Sequence, residues 1–371
     1  MRQSAAMIRV LPFLFALLLT PPAARAEISF LPAPGPGAGD ESGVSGEIVI
    51  YSSLDTRLAH PLLAAFQARY PGIAIRYEDL LTGEMHERIL RETDNAGVTA
   101  DLVFSSAMDL QVKLVNDGYA QRVVTAATGD WPGWAMWRET AYALTYEPAV
   151  FAWHVPSFAD HPPPATRADL LAWLEDAPAA ARGRIGTYDI ARSGVGYLFL
   201  ARDQDLFPGI WQVMAAMGQS GVQQYPTSQE LLARIATGEI AVGYNLLGSY
   251  VAEAVRQNPG QIGMTLPQDF TVVVSRVALV PRAAARPELG ALLLDWLMSP
   301  EGQSELSRHL RLPAVGLEVA AGESPSGALA DLSGLRLKPV PVGPGMLAYL
   351  DQANRSRLIA RWQQALRPAA P

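Results

Sequence analysis

The chain has 371 residues, 29 basic and 36 acidic side chains, a formal net charge of −7 and 49% hydrophobic composition. This length is typical of about two domains with large apolar cores. The chain contains no cysteine, which excludes disulfide-stapled folds, thiolate zinc sites, cysteine-ligated iron–sulfur clusters and cysteine nucleophiles. The composition therefore indicates an acidic globular protein without thiol chemistry.

Residues 1–26 have the pattern of a secretory signal peptide. Arg2 and Arg9 precede an apolar run over 10–19, and Ala24-Arg25-Ala26 has a small-x-small cleavage pattern. The run is shorter than the roughly 20 apolar residues of a membrane span. Cleavage would remove three arginines and leave 26 basic and 36 acidic residues, a net charge of −10 that disfavours nucleic acid as a partner. We expect export to the periplasm, with an uncleaved anchor as the alternative.

Residues 27–46 are predicted to be a flexible tether. They contain the run Pro32-Ala33-Pro34-Gly35-Pro36-Gly37-Ala38-Gly39, which has too few apolar side chains to offset the entropy of ordering it. We expect the folded body to start near Glu47.

From Glu47 onward, short apolar runs alternate with stretches of helical period. They predict strands at 48–51, 73–77 and 102–104, and helices at 56–70, about 82–94 and 108–116. Such a βαβαβα series is typical of parallel strands covered by helices, and ligands bind at the carboxyl ends of such strands. Hydroxyl or glycine residues follow all three strands: Ser52, Ser53, Thr82, Gly83, Ser105 and Ser106.

A second unit of this kind follows a region rich in tryptophan. An extended segment is predicted over 142–154, a helix over 167–174 and a strand over 184–188, after which Ser193-Gly194 opens an apolar helix toward Ala201. Further buried strands are predicted at 240–247 and 271–279. The last of these could carry the chain back to the first unit.

Several segments occur in the order typical of one family. They are Ile48-Val49-Ile50-Tyr51-Ser52-Ser53, Ala100-Asp101-Leu102-Val103-Phe104, Asn116-Asp117-Gly118-Tyr119, Gly183-Arg184-Ile185-Gly186, Ser193-Gly194 and Ser299-Pro300-Glu301-Gly302-Gln303. On these residues, over about 47–310, the chain resembles the periplasmic substrate-binding proteins of ABC transporters. The relevant branch is extracellular solute-binding family 1, which includes ferric-ion, hexose-phosphate, thiamine and phosphoglycerate-related binders.

The resemblance implies an α/β fold of the type II periplasmic binding class. Two lobes, each with a central mixed sheet, would be joined by a hinge around a ligand cleft, with no chemistry on the ligand. We expect lobe 1 at 47–146 plus 276–310, lobe 2 at 147–275, and a C-terminal helical segment at 311–371 that packs on the lobes. We expect a monomer.

Three positions argue against a ferric site of the kind found in that branch. Asp55 stands where the ferric binders place a histidine, and Ala107 corresponds approximately to their glutamate. Their adjacent tyrosine pair has no equivalent, because five residues separate Tyr244 from Tyr250. Hard cations prefer converging oxygen ligands. We expect no metal and no cofactor, and keep a ferric-iron binder as an alternative.

The predicted site suits an anion instead, because helix N-termini carry partial positive charge and unpaired amides. In lobe 1 it comprises the six strand-end residues given above, and in lobe 2 Ser193 and Gly194, with Arg192 adding charge. The rest of the ligand is expected to contact Tyr188, Asp189, Tyr244 and Asn245.

These residues also have purely structural interpretations. A serine or threonine before a helix is an ordinary N-cap, Arg192 reads equally as a solvated surface charge, and Tyr244 as a core or hinge aromatic. Both readings remain open on the sequence alone.

Enzymatic motifs are not matched in the sequence. Neither lysine follows a glycine in a phosphate loop, the five histidines form no His-Glu-x-x-His, and Ser193 lacks the first glycine of Gly-x-Ser-x-Gly. We therefore expect a periplasmic protein, not an enzyme, that captures a small anionic ligand such as an organic phosphate and delivers it to an inner-membrane ABC permease. The alternative is a ligand-sensing regulator that engages the periplasmic domain of a sensor kinase.

Overall fold

Two sheets of seven strands each organise the part of the chain that the structure describes. The computed structural model describes residues 27–35, 43–95, 97–310, 315 and 336–367. In chain order the strands of these ranges are β1 Glu27–Leu31, β2 Gly46–Ser52, β3 Ile73–Asp79, β4 Leu102–Ser105, β5 Met136–Trp137, β6 Ala141–Ala143, β7 Glu147–His154, β8 Ile185–Tyr188, β9 Gln223–Tyr225, β10 Val242–Leu247, β11 Ile262–Thr265, β12 Thr271–Val274, β13 Val277–Leu279 and β14 Leu337–Pro339.

Helices cover both sheets. They are α1 Thr56–Arg69, α2 Thr82–Asn95, α3 Met108–Asn116, α4 Arg167–Asp176, α5 Pro178–Ala181, α6 Gly194–Leu206, α7 Ile210–Gln219, α8 Ser228–Ala236, α9 Gly248–Gln257, α10 Pro287–Met298, α11 Pro300–Leu310, α12 Leu347–Leu350 and α13 Gln352–Ala365. Short 3₁₀ turns lie at Ala127–Asp130, Gly133–Ala135, Val155–Phe158 and Pro344–Met346. No helix within the described ranges combines the length and apolar composition that a membrane crossing requires.

The first sheet has the order β1-β3-β2-β4-β13-β6-β5. Strand β2 pairs in parallel with β3 and β4, as the predicted βαβαβα series requires, and β13 pairs antiparallel with β4 and β6. Apolar side chains such as Ile48 and Ile75 are fully buried beneath the helices. The prediction of a mixed central sheet is confirmed for this unit, which we call the first lobe and which includes α1–α3, α10 and α11.

The second sheet has the order β14-β12-β7-β10-β8-β9, with β11 on β7. Strands β8 and β10 are parallel, and β7 and β10 are antiparallel with an irregularity between Gly243 and Leu246. This sheet is also mixed, so the two-lobed α/β class is confirmed. We call this unit, with α4–α9, the second lobe.

Within the described ranges, two neighbouring crossings lead the chain from one sheet to the other. One crossing joins β6 to β7 through 144–146, and the other joins β12 to β13 through 275–276, so the predicted return of the chain to the first lobe is confirmed. The crossings are hydrogen-bonded to each other, since Leu144 N donates to Arg276 O at 2.9 Å and Arg276 N to Thr145 Oγ1 at 2.8 Å. In the described part of the chain, the hinge therefore contains a pair of hydrogen-bonded strand crossings. The exact lobe boundaries stay a prediction.

The predicted tether is wrong for Glu27–Leu31, which form β1 on the edge of the first sheet. The free edge of β3 supplies backbone partners, and Gln67 Nε2 donates to Leu31 O at 3.3 Å. Backbone hydrogen bonds to an existing sheet edge offset the entropy lost when these residues become ordered. The composition of the segment does not reveal that stabilisation. The signal-peptide prediction and residues 36–42 lie outside the described residues.

The C-terminal segment contributes more than the predicted helices. Strand β14 pairs in parallel with β12, so a strand from this segment extends the second sheet. As expected, a helix follows: on α13, Leu358 and Trp362 are buried in the core of the second lobe. Residues 311–314 and 316–335 lie outside the described residues.

Candidate ligand-binding cleft

A cavity lies between the two lobes where their strands end. It holds about 580 Å³ of space not filled by protein atoms, a figure that includes open solvent at its mouth. The lining residues are Ser53, Asp55, Asp79, Leu80, Leu81, Thr82, Ser106, Tyr188, Arg192, Ser193, Val195, Pro226, Thr227, Ser228, Gln229, Leu247 and Tyr250. The cavity is therefore walled by hydroxyl groups from both lobes, two carboxyl groups and one arginine.

On the first lobe, Ser53 and Ser106 form one unit. Ser106 N donates to Ser53 Oγ at 3.1 Å, and the two hydroxyl oxygens lie 3.3 Å apart. The two residues follow β2 and β4, which are adjacent and parallel, so their carboxyl ends meet at one edge. Two of the predicted strand-end serines are thus brought together in the cleft.

Thr82 and Gly194 meet across the cleft. Gly194 N, at the start of α6, donates to Thr82 Oγ1 at the start of α2 at 3.2 Å. An added Cβ on Gly194 would lie 2.9 Å from that hydroxyl oxygen and 3.0 Å from Ala107 Cβ. The lobes are therefore closed on each other, and the Gly194 amide predicted for an anion contacts protein in this conformation.

The second lobe contributes the N-terminus of α6. Ser193 Oγ accepts from Gly196 N at 3.2 Å, which is the N-cap interaction. The Ser193 side chain also lines the cavity, so the same residue caps the helix and faces the ligand space. Tyr188 OH lies 2.5 Å from Ser228 Oγ, and burial raises the pKa of Tyr188 well above its ordinary value.

A second contact between the lobes involves Asp55, the N-cap of α1. Its carboxylate accepts from Gln229 Nε2 on α8, and its backbone N donates to Tyr250 OH on α9 at 3.0 Å. Burial raises the pKa of Tyr250 to about 12, so this tyrosine is a neutral phenol near neutral pH. These contacts stabilise the closed form on the side of the cleft that Asp55 lines.

Asp79 and Arg192 are, with Asp55, the acidic and basic side chains of the cavity lining. Burial, and next the charge of Asp55, raise the pKa of Asp79 to about 7 from 3.8. Arg192 is exposed at the rim. Near neutral pH the Asp79 carboxyl group is therefore partly protonated and able to donate as well as accept a hydrogen bond.

Seven of the predicted residues are not part of the cavity lining. Besides Gly194, Tyr244 and Asn245, they are Ser52, Ser105, Asp189 and Gly83. Ser52 is buried, where its Oγ donates to Phe104 O and accepts from Leu54 N. Ser105 Oγ accepts from Ala107 N. Asp189 holds a turn by accepting from Ala191 N at 3.0 Å. Gly83 has open space around it and no lining role.

Tyr244 and Asn245 belong to a buried network behind the strands of the second lobe. Tyr244 OH and Asn245 Nδ2 each donate to Asp203 Oδ2 at 2.6 Å, and Arg167 Nη2 pairs with Asp203 Oδ1 at 2.7 Å. Asn245 has φ of 56°, a conformation that breaks the alternation of β10. The strand irregularity turns both side chains away from the predicted cleft.

Sequence reasoning missed several lining residues, and for some a signal was present. Thr227 and Ser228 follow β9, so the rule that selected Ser53 and Ser106 would have selected them had the three-residue strand been predicted. Asp79 ends β3 and satisfies the same rule. Gln229 and Tyr250 had no such signal, since they lie inside the N-terminal turns of α8 and α9.

The described residues hold no group of three or more histidine, cysteine, aspartate or glutamate side chains placed to bind a metal ion. The cavity instead offers hydroxyl groups, an arginine and two acids. This set matches small polar organic ligands better than a bare cation.

Residues 62–328 match the family described as bacterial extracellular solute-binding protein. No curated protein sequence matches the chain.

Solved structures also match. The substrate-binding protein of an ABC transporter from Agrobacterium tumefaciens is 52% identical, with a TM-score of 0.86, and the match covers 93% of this chain and 100% of that one. AfuA from Actinobacillus pleuropneumoniae, with exogenous fructose-6-phosphate bound, is 17% identical with a TM-score of 0.69, over 87% and 99% of the chains. Iron-bound HitA from Pseudomonas aeruginosa is 14% identical with a TM-score of 0.66, over 86% and 99%. The last two likenesses concern the fold alone.

Proposed function

The chain belongs to the bacterial extracellular solute-binding proteins of ABC transporters, and we propose that its cleft captures a small periplasmic solute that carries an anionic group and hydroxyl groups. An organic phosphate is the example that fits this description. The captured solute is then delivered to a membrane permease. The protein itself performs no chemistry on it.

The observation that carries this proposal is the convergence of hydroxyl groups from both lobes. Ser53 and Ser106 face the cavity from the first lobe, and Ser193 and Thr227 from the second. Hydroxyl groups donate hydrogen bonds to an oxyanion without burying a full charge, and the α6 N-terminus adds partial positive charge. An anionic group in this space gains donors from two directions.

The two carboxyl groups of the cavity favour a ligand that carries hydroxyl groups. Asp55 and Asp79 line the cavity, and carboxylate oxygens accept hydrogen bonds from hydroxyl groups. Because Asp79 is partly protonated near neutral pH, it repels a nearby anion less than a full carboxylate would. The cleft therefore combines donors for an anion with acceptors for hydroxyl groups.

Closure supplies the signal for delivery. The closed form joins the lobes through Thr82–Gly194 and Asp55–Gln229, so a ligand that contacts both lobes stabilises closure by its differential affinity. A permease that recognises the closed surface then distinguishes loaded from empty protein.

Thermal unfolding against a panel of solutes tests the proposal. The panel is fructose 6-phosphate, fructose, inorganic phosphate, citrate and ferric chloride. Fructose 6-phosphate should raise the melting temperature more than fructose, because a ligand that binds the native state alone stabilises it. Stabilisation by ferric ion alone, or by no organic anion across a wider set of phosphate esters and carboxylates, would contradict the proposal.

Delivery is tested with the permease itself. Loaded protein should stimulate ATP hydrolysis by its reconstituted permease more than empty protein does. Ligand-dependent binding to a sensor-kinase domain without any permease stimulation would instead support the regulatory alternative.

A further inference from the structure

A buried ion pair lies at the two strand crossings of the hinge. Arg276 Nε is 2.9 Å from Glu147 Oε1, and both side chains are 0% exposed. Arg276 belongs to the crossing between β12 and β13, and Glu147 begins β7 just after the other crossing. The pair therefore sits where the lobes are joined.

The two partners differ in how completely they are hydrogen-bonded. Glu147 accepts from Thr145 Oγ1 at 2.9 Å and from Ser249 Oγ at 2.7 Å. Arg276 Nη2, in contrast, finds no hydrogen-bond partner within the described ranges. A guanidinium carries five N–H donors, and a buried unpaired donor is costly. The arginine side of the pair thus has unused donor capacity.

The Nη1 end of the same guanidinium lies next to the floor of the cleft. Arg276 Nη1 is 3.5 Å from Ser53 Oγ, and the guanidinium carbon is 5.7 Å from the ring centroid of Tyr250. Both Ser53 and Tyr250 line the cavity, whereas Arg276 does not. The positive charge is one side chain away from the ligand space.

This arrangement orients the Ser53 hydroxyl. Its oxygen accepts from Ser106 N at 3.1 Å and from Arg276 Nη1. A hydroxyl has two acceptor lone pairs and one proton. With both lone pairs engaged, the Ser53 proton is left to be donated, either to Ser106 Oγ at 3.3 Å or to an anion in the cavity. The adjacent positive charge favours donation to the anion.

We propose that Arg276 is the positioning residue of the anion subsite, acting from beneath the cleft floor through Ser53, with Glu147 limiting its charge. This inference rests on the proposed function of the cleft. It assigns the main positive charge to a hinge residue that the ligand does not touch, and not to the exposed Arg192, which solvent and salt screen.

Two variants of the same ion pair give opposite predictions. Arg276→Gln removes the positive charge and should weaken binding of fructose 6-phosphate roughly tenfold. Glu147→Gln removes the neutralising charge and should strengthen binding by a similar factor. Both variants break the same ion pair, so a purely structural role predicts that both weaken binding. Calorimetric titration of the full mature protein measures the dissociation constants, and thermal unfolding reports the stability of each variant.

A second pair of variants tests the proposal if Arg276→Gln does not fold. Arg276→Lys keeps the charge and should retain binding within about threefold, whereas Ser53→Ala should lose roughly tenfold. Parallel weakening in both Arg276→Gln and Glu147→Gln overturns this inference alone. Unchanged binding by Ser53→Ala overturns it too, and also removes Ser53 from the hydroxyl groups of the proposed anion site. Failure of the unaltered protein to bind either fructose 6-phosphate or inorganic phosphate overturns the proposed ligand class, and this inference with it.

Discussion

Thr82 and Gly194 are joined by a hydrogen bond across the cleft, from the amide at the start of α6 to a hydroxyl oxygen at the start of α2, at 3.2 Å. The two residues are 112 positions apart and belong to different lobes. The contact forms only when the lobes are closed. It therefore links the conformation of the protein to the side chains that line its cavity.

Loss of the Thr82 hydroxyl should weaken ligand binding. Thr82→Val keeps the shape and removes the acceptor, which costs about 0.5–1.5 kcal/mol and lowers affinity roughly two- to twelvefold. Thr93→Val on the same helix is the matched control, because Thr93 Oγ1 has no hydrogen-bond partner among the described residues. Calorimetric titration with the stabilising solute compares the two. Equal affinities for both variants would show that this contact does not support closure.

A methyl group on Gly194 should favour the open form. In Gly194→Ala the new Cβ would lie 2.9 Å from Thr82 Oγ1, and overpacking of this kind costs about 1–3 kcal/mol. We expect affinity to fall roughly tenfold, while the melting temperature without ligand does not fall. Gly83→Ala, which meets open space, is the control that should leave affinity unchanged. A loss of affinity in Gly83→Ala would restore the sequence-based prediction that Gly83 contacts the ligand.

Ser193 should show both a capping role and a binding role. Ser193→Ala and Thr166→Ala each remove a helix N-cap and should each destabilise the fold by about 1 kcal/mol. Only Ser193 lines the cavity, so only its variant should also weaken ligand binding. Urea unfolding and titration of both variants separate the two effects. If Ser193→Ala binds as tightly as Thr166→Ala, the residue is a cap and nothing more.

Stability should depend on pH through Asp79. Its pKa is raised to about 7 by burial and by Asp55, so between about pH 4 and pH 7 the folded state binds more protons than the unfolded state. The free energy of unfolding should therefore fall as pH rises through this window, by an Asp79 contribution on the order of 2–4 kcal/mol.

Urea unfolding at pH 5 and pH 8, without ligand, measures this contribution. Asp79→Asn should remove it, and replacement of the exposed Asp160 by asparagine should leave the pH dependence as it was. The same slope in Asp79→Asn as in the unaltered protein would assign the titration to another group.

Tyr244 should support stability and not binding. Tyr244→Phe removes a hydroxyl that donates to Asp203 and accepts from Arg167, which should cost about 1–3 kcal/mol and leave affinity within about twofold. Tyr250→Phe, which loses the contact to Asp55 N across the cleft, should weaken binding. The opposite pattern of affinities in these two variants would show that Tyr244 reaches the ligand.

Much of the fold follows from local patterns in the sequence. Helix α3 has the predicted bounds, 108–116, because its apolar residues recur at helical spacing between Ala107 and Asp117. The parallel strands β2, β3 and β4 lie where short apolar runs predict them. The edge strand β1 was missed because its order depends on a distant partner, β3, and not on its own composition.

The cleft was predictable only in part, and adjacent residues show why. Ser52 and Ser53 both follow the apolar run of β2, but neighbouring strand residues point in opposite directions, so Ser52 bonds to Phe104 O while Ser53 faces the cavity. A sequence does not say which of the two faces the ligand. Asn245 was misplaced for a related reason, because its left-handed backbone changes the direction of β10.

A crystal structure of the protein with the solute that it retains when purified from its own cells tests the central claim most directly. We predict a small organic anion between the lobes, with its charged group within hydrogen-bonding distance of Ser53 and Ser193 and its hydroxyl groups near Asp55 or Asp79. A metal ion held by the oxygens of Tyr188 and Tyr250, or a solute bound outside this cavity, would contradict the account.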